Sequence, residues 1–147
     1  MKWIDLPPLW LIAALGLAYA VGQVLPVPRF GPRAETLGQG LIVLGLGLIA
    51  LAAAQMLSRQ TTVIPHREAQ HLVTSGIFAL SRNPIYLGDA LILTGAVLYW
   101  RALLPMLLVP AFMALIQTRF IAAEEARLQT GFGAEFDAYR ERTRRWL

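Results

Sequence analysis

The chain has 147 residues, 56% of them apolar, and its mean hydropathy of +0.54 is too high for an ordinary soluble fold. It reads as one all-α integral-membrane domain over residues 1–147. It holds no cysteine and two histidines, which excludes a disulfide framework, a thiolate metal site and a structural zinc site. The formal charge of +4 comes mostly from arginines flanking apolar runs, which points to anchoring on anionic lipid and away from nucleic acid.

Leu6 to Leu25 is almost wholly apolar and long enough for a first span. Ala18-Tyr19-Ala20 is like a signal-peptidase site, but the apolar run continues past it and Lys2 is offset by Asp5, so the span is expected to be retained. Pro26, Pro28, Gly31 and Pro32 form a turn carrying Arg29, Arg33 and Glu35, and a second span runs from Leu37 to Leu57. Its Gly40, Gly47 and Ala54 lie on one stripe, where small residues admit a neighbouring helix. A long polar loop follows from Ser58 to Asn83 and contains His66 and His71. Loops of that length are uncommon unless they are functional.

Asn83 suits a helix N-cap and Pro84 the first helical position, so the third span is expected over Ile85 to Tyr99. At about 22 Å it is too short to cross a bilayer alone. Either the bilayer thins or the helix starts in a wet, protein-lined recess, which sets Arg82, Asn83, Tyr86 and Asp89 where a cofactor can meet a lipid. Trp100-Arg101 leaves only a tight turn before a fourth span, Ala102 to Phe120, with Pro105 and Pro110 as candidate kinks.

This hairpin partner is expected to continue as helix to Gly131, where Gly-Phe-Gly breaks it. On its wheel Gln117, Ile121, Glu124 and Leu128 share a stripe, with Glu125 about 100° away, while Arg119 snorkels. A last interfacial helix, Ala134 to Leu147, sets Phe136, Tyr139 and Trp146 against Arg140, Arg142, Arg144 and Arg145. Of thirteen Lys and Arg, one lies at the N-terminus, three between residues 58 and 84 and six from Arg119 onward. That bias puts the long loop, Glu124-Glu125 and both termini on the cytoplasmic side. Abundant Leu, Ala and Arg with little Lys points to a GC-rich bacterium, and so to its inner membrane.

No G-x-S-x-G supports serine-type hydrolysis, and no H-E-x-x-H helix supports a zinc hydrolase, although His66, His71, Glu124 and Glu125 leave a hydrolytic metal site as a minor alternative. Neither a phosphate-binding loop nor a dinucleotide fingerprint occurs. Two clusters remain on one side of the membrane: His71, Arg82, Asn83 and Tyr86 at a helix start, and Glu124-Glu125 on the hairpin partner. Together they match a zwitterion, Arg82 and the helix start holding a carboxylate and the glutamates an ammonium. S-adenosylmethionine is such a zwitterion.

The string H-x-L-x-x-x-G-x-F-x-x-x-R-N-P-x-Y-x-G from His71 to Gly88, followed by E-E-x-x-L-x-x-x-F-G and ending F-x-x-Y-x-x-x-x-x-R, resembles the integral-membrane isoprenylcysteine carboxyl methyltransferase and phospholipid methyltransferase superfamily. Thr61-Thr62-Val63-Ile64-Pro65 is similar to the segment entering that motif in bacterial members. The resemblance implies about four membrane helices and an S-adenosylmethionine pocket lined by His71, Gly76, Arg82, Tyr86, Glu124 and Glu125, with Asn83 where many members have His. It implies methyl transfer to a lipid or small lipophilic acceptor, with Arg82 and His71 as catalytic candidates, His71 or a glutamate taking the proton if the acceptor is an amine. The alternatives are an NADPH-dependent membrane reductase of the steroid reductase type and a non-catalytic membrane scaffold.

Overall fold

The computed structural model describes residues 6–25, 28–59 and 71–147. His66 and the Thr61–Pro65 segment lie outside the described residues, as do Lys2, Asp5 and Pro26. Among the described residues the regular structure is helical: α1 Pro7–Val24, α2 Arg33–Ser58, α3 Pro84–Tyr99, α4 Leu104–Phe132 and α5 Ala134–Arg142. Of these, α1, α2 and α4 are long and apolar enough to cross a membrane. The apolar α3 has 16 residues, about 24 Å of helix.

Helix α2 starts at Arg33 instead of Leu37, with Glu35 in its first turn, where a carboxylate favours the helix dipole. Helix α4 opens as a tight 3-10 turn, Leu104–Leu107, around Pro105. Pro110 falls in the first turn of the α-segment that follows, where a missing N–H is tolerated. A π-helical turn, Gln117–Ile121, precedes the extension Ala122–Phe132. The helix passes through Gly131, and the break comes at Gly133, whose φ of +49° suits a residue without a side chain.

The reversals between α1 and α2 and between α3 and α4 meet at one end of the bundle. The Phe30 N–H donates to the Arg101 carbonyl at 2.8 Å and the Leu103 N–H to the Pro28 carbonyl at 3.1 Å. Arg101 adopts a left-handed φ of 59°, which costs a non-glycine residue about 1–2 kcal/mol. Its Nε donates to the Phe30 carbonyl at 2.9 Å and its Nη1 lies 3.5 Å from Glu35. These contacts hold the tight turn expected at Trp100-Arg101.

The tightest helix pair is α2 with α3, and it uses a different stripe from the one expected. Gly38, Gly45 and Ala52 are buried, the two glycines against α3 and Ala52 against Phe78 and α5, whereas a Cβ at Gly40 or Gly47 would meet nothing within 4 Å and Ala54 is exposed. Both stripes have heptad spacing, and the partner decides between them: α3 offers its own heptad, Gly88 and Gly95. A Cβ at Gly45 would lie 2.6 Å from the Gly88 carbonyl oxygen, and one at Gly88 would lie 2.8 Å from that of Gly45. Only glycine on both sides allows this backbone approach. On the other side of α3, Tyr86, Leu93 and Val97 form a core with Ala18 of α1 and Phe112, Ile116, Phe120 and Ile121 of α4. Val43, Leu44, Leu51 and Leu57 of α2 face outward.

The last helix differs from expectation in extent and setting. It ends at Arg142, and the residues after it return across the bundle. Phe136 and Tyr139 are buried against Ala52 and Phe78, so the aromatic face of α5 packs on protein. Trp146 is not on this face: its Nε1 donates to Gln117 at 3.1 Å.

The two glycine stripes make opposite predictions. Gly45→Val should lower the stability of the detergent-solubilised chain by roughly 1–3 kcal/mol through overpacking. Gly47→Val should leave thermal unfolding unchanged. Equal effects in thermal melts would contradict the interface described.

Candidate functional site at the start of α3

A cavity of about 950 Å³ opens among the N-terminus of α1, the C-terminal half of α2, the start of α3, the extension of α4 and α5. Much of its wall is apolar, including Leu11, Leu46, Ile49, Ile85 and Ile92. The polar groups gather where α3 begins: Arg82, Asn83, Tyr86, Asp89, Glu124, Glu125 and Arg127. Its size suits a drug-sized ligand held by a few convergent polar groups.

The local chain explains why these groups converge. Pro84 occupies the first turn of α3 and Asn83 the cap position, which puts Arg82 on the last residue before the cap. The extension of α4 carries its two glutamates back over this start. Arg82 Nη2 lies 3.0 Å from Glu125 Oε1. Arg145, from the tail after α5, donates through Nε to Oε1 of the same carboxylate at 3.1 Å and through Nη2 to Oε2. The Tyr86 hydroxyl donates to Glu124 Oε1 at 2.7 Å.

Arg82 and Glu125 are only 11% and 15% exposed at their side chains. Burial pulls the Arg82 guanidinium down from its ordinary value, and the Glu125 charge acts in the opposite direction. The hydrogen bonds to Glu125 raise Arg145. Both arginines remain charged, so the cluster is a cation–carboxylate–cation triad beside a largely apolar cavity. Arg82 Nε is buried and has no hydrogen-bond partner.

The tail is pinned by backbone as well as charge. The Arg82 N–H donates to the Arg144 carbonyl at 2.9 Å, and Asn83 Nδ2 donates to the Arg145 carbonyl at 3.0 Å. Asn83 therefore holds the cap position without capping through its side chain, which is turned to the tail instead. A wheel of constant pitch set Glu124 and Glu125 on different faces; in the folded chain both carboxylates reach the start of α3. Glu124 reaches it through the Tyr86 hydroxyl and Glu125 through Arg82, two partners on different parts of the α3 start.

Arg82, Asn83, Tyr86, Glu124 and Glu125 thus meet on one wall, and two expected site residues do not join them. His71 is exposed and does not line the cavity. Gly76 has a φ of +58°, and a Cβ there would run into the side chain of Gln55, which accepts from the Ile77 N–H at 3.2 Å and donates to the Ser75 carbonyl at 2.6 Å. Gly76 shapes the 3-10 turn Gly76–Ala79, whose Phe78 lines the cavity. Arg145 was missed because the expected helix ran on to Leu147 and placed it among solvated arginines. The available signal was the terminal Arg of the quoted motif, which is residue 145. No group of His, Asp and Glu among the described residues is arranged to hold a metal ion.

A family model described as phospholipid methyltransferase matches residues 34–135. No curated protein and no solved structure matches the chain.

The Tyr139 hydroxyl, buried, donates to the Phe78 carbonyl at 2.6 Å and ties α5 to the cavity floor. Burial pushes this phenol from 10 up to about 12. The folded chain therefore holds the proton more tightly than the unfolded one, and stabilisation present below pH 10 is lost as the pH rises through about 12. Tyr139→Phe should cost about 1–3 kcal/mol at neutral pH and should flatten the alkaline fall. Chemical unfolding across pH checks both; an unaltered alkaline slope contradicts the assignment.

Proposed function

This chain belongs to the phospholipid methyltransferase family, and on that premise we propose that it transfers a methyl group from S-adenosylmethionine to a lipid or small lipophilic acceptor at the cytoplasmic membrane face. The observation that carries this reading is the convergence of Arg82, Tyr86, Glu124 and Glu125 at one end of a largely apolar cavity.

The donor set suits the amino-acid end of this cofactor. Arg82 offers a buried Nε without a partner, which a carboxylate satisfies, and Glu124 and Glu125 offer carboxylates for an ammonium. Tyr86 keeps Glu124 oriented through its hydroxyl, while Asn83 and Arg145 hold the tail against the site. When bound, S-adenosylmethionine supplies an electrophilic methyl group on a sulfonium centre. The task of the protein is to align the acceptor in line with that methyl and to keep water away, which the apolar wall favours. His71 is exposed, so a proton released by an amine acceptor goes to a carboxylate on the cavity wall.

In this reading α3 crosses the membrane with α1, α2 and α4, and the arginine bias sets both termini on the cytoplasmic side of a bacterial inner membrane. The cofactor enters from the cytoplasm and the acceptor sideways from the lipid.

S-adenosylhomocysteine at a hundred times its Kd should stabilise the detergent-solubilised chain by about 2.7 kcal/mol, and NADPH should not. Glu125→Gln should weaken that binding by about tenfold or more, near 1.4 kcal/mol. Melting scans with each ligand decide the matter: stabilisation by NADPH alone sinks the proposal, and stabilisation by neither ligand favours a scaffold.

A further inference from the structure

The tail after α5 runs first along the loop before α3 and then along α4. The Thr143 hydroxyl donates to the Ala79 carbonyl at 3.5 Å, and the Arg82 N–H donates to the Arg144 carbonyl at 2.9 Å. The Arg145 carbonyl accepts from Asn83 Nδ2 at 3.0 Å and from the Ser81 hydroxyl at 3.3 Å, and Trp146 Nε1 donates to Gln117 on α4. None of these bonds uses the side chain of residue 145. That side chain is carried into place by its neighbours and forks onto Glu125, Nε to Oε1 and Nη2 to Oε2.

Arg145 lies outside the cavity lining, whereas Glu125 and Arg82 are part of it. Its side chain is 35% exposed against 15% for Glu125 and 11% for Arg82, so it is the outermost of the three. Two guanidinium groups share one carboxylate, which leaves the triad with one positive charge in excess. Burial is the largest influence on the Arg82 guanidinium, and the charged groups acting on it next are Glu125, Arg145 and Arg140, one anion against two cations. An excess charge held away from water is costly until a counter-charge joins it. Arg82 also keeps a buried Nε without a hydrogen-bond partner. Both observations call for an anion at the same guanidinium. Without Arg145, Arg82 and Glu125 would form a neutral pair with no excess to offset.

We propose that Arg145 is a positioning residue that sets the site's selectivity for a ligand carboxylate: by meeting Glu125 from the tail it leaves a positive excess at Arg82, which a carboxylate neutralises. The proposal rests on the methyl-transfer reading above and adds to it the tail residue that tunes the cofactor site from outside the cavity. Arg145 acts through Glu125 and does not touch the ligand. Its backbone bonds stay in place when the side chain is changed, so a substitution there removes the charge and leaves the tail docked.

The test uses the full chain in lipid nanodiscs at low ionic strength, where a partly exposed charge is least screened. Calorimetry gives dissociation constants for S-adenosylhomocysteine, for its decarboxylated analogue, which keeps the amine, and for methylthioadenosine, which carries neither charge. Wild type, Arg145→Met and Arg145→Lys are compared. The wild type should favour S-adenosylhomocysteine over the decarboxylated amine. In Arg145→Met that preference should shrink by about tenfold, because a carboxylate loses attraction and an ammonium loses repulsion. Methylthioadenosine should bind the variant as it binds the wild type, which reports an intact site. Arg145→Lys keeps the charge and should restore the preference.

An unchanged preference in Arg145→Met overturns the assignment, as does a wild type that does not favour the carboxylate. Equal weakening of all three ligands also overturns it, because a tail that only braces the site would act that way. A lysine variant that matches the methionine variant overturns it as well, since the charge is then not what acts. A wild type that binds none of the three ligands refutes the underlying methyl-transfer reading, and this proposal falls with it.

Discussion

The Glu125 carboxylate is the point on which the assembly at the start of α3 turns. It binds Arg82 from the loop before α3 and Arg145 from the C-terminal tail, while its own helix extends from α4. Three segments far apart in sequence are thereby fixed around one group. Buried ion pairs are not a strong source of net stability, but removing one partner leaves a charge uncompensated at a cost of roughly 3–5 kcal/mol. The triad therefore acts chiefly to specify: α4 must continue past the core and the tail must fold back for the charges to be matched. Tyr86–Glu124 and Asn83 with the Arg145 carbonyl complete the same assembly with neutral donors.

A second constraint sets where this assembly lies. Helix α3 is too short to match its neighbours, and the paired glycines Gly45–Gly88 and Gly38–Gly95 bind it to α2 backbone to backbone. The start of α3 lines one cavity together with the N-terminus of α1, the C-terminal half of α2 and the extension of α4. The result is a largely apolar cavity whose charged groups gather at the start of α3.

Much of this was legible in the sequence. The length of the apolar runs gave α1 and α2, Asn83-Pro84 marked the start of α3, and the Gly-Phe-Gly segment held the break that the structure puts at Gly133. The two clusters, Arg82 with Tyr86 and Glu124 with Glu125, were visible as residues, although not that Arg82 and Glu125 would face each other. The choice between the Gly38–Gly45–Ala52 and Gly40–Gly47–Ala54 stripes was not legible, because both satisfy the heptad and only the glycines of the partner helix distinguish them. Nor was the tail: Arg145 on an uninterrupted helix is one arginine among several, and its role depends on Arg82 and Asn83 capturing two tail carbonyls. The turn at Gly76 is likewise a tertiary feature, held by Gln55 of α2.

The central claim is that the start of α3 and the extension of α4 form the S-adenosylmethionine site. Its most direct test is photolabelling of the full chain in nanodiscs with methyl-labelled S-adenosylmethionine, followed by peptide mapping. Label confined to the peptides holding Arg82 to Asp89 and Glu124 to Phe132, and displaced by S-adenosylhomocysteine, is the predicted result. Label at the opposite end of the bundle around Phe30 and Arg33, or label displaced by NADPH and not by S-adenosylhomocysteine, would contradict the account.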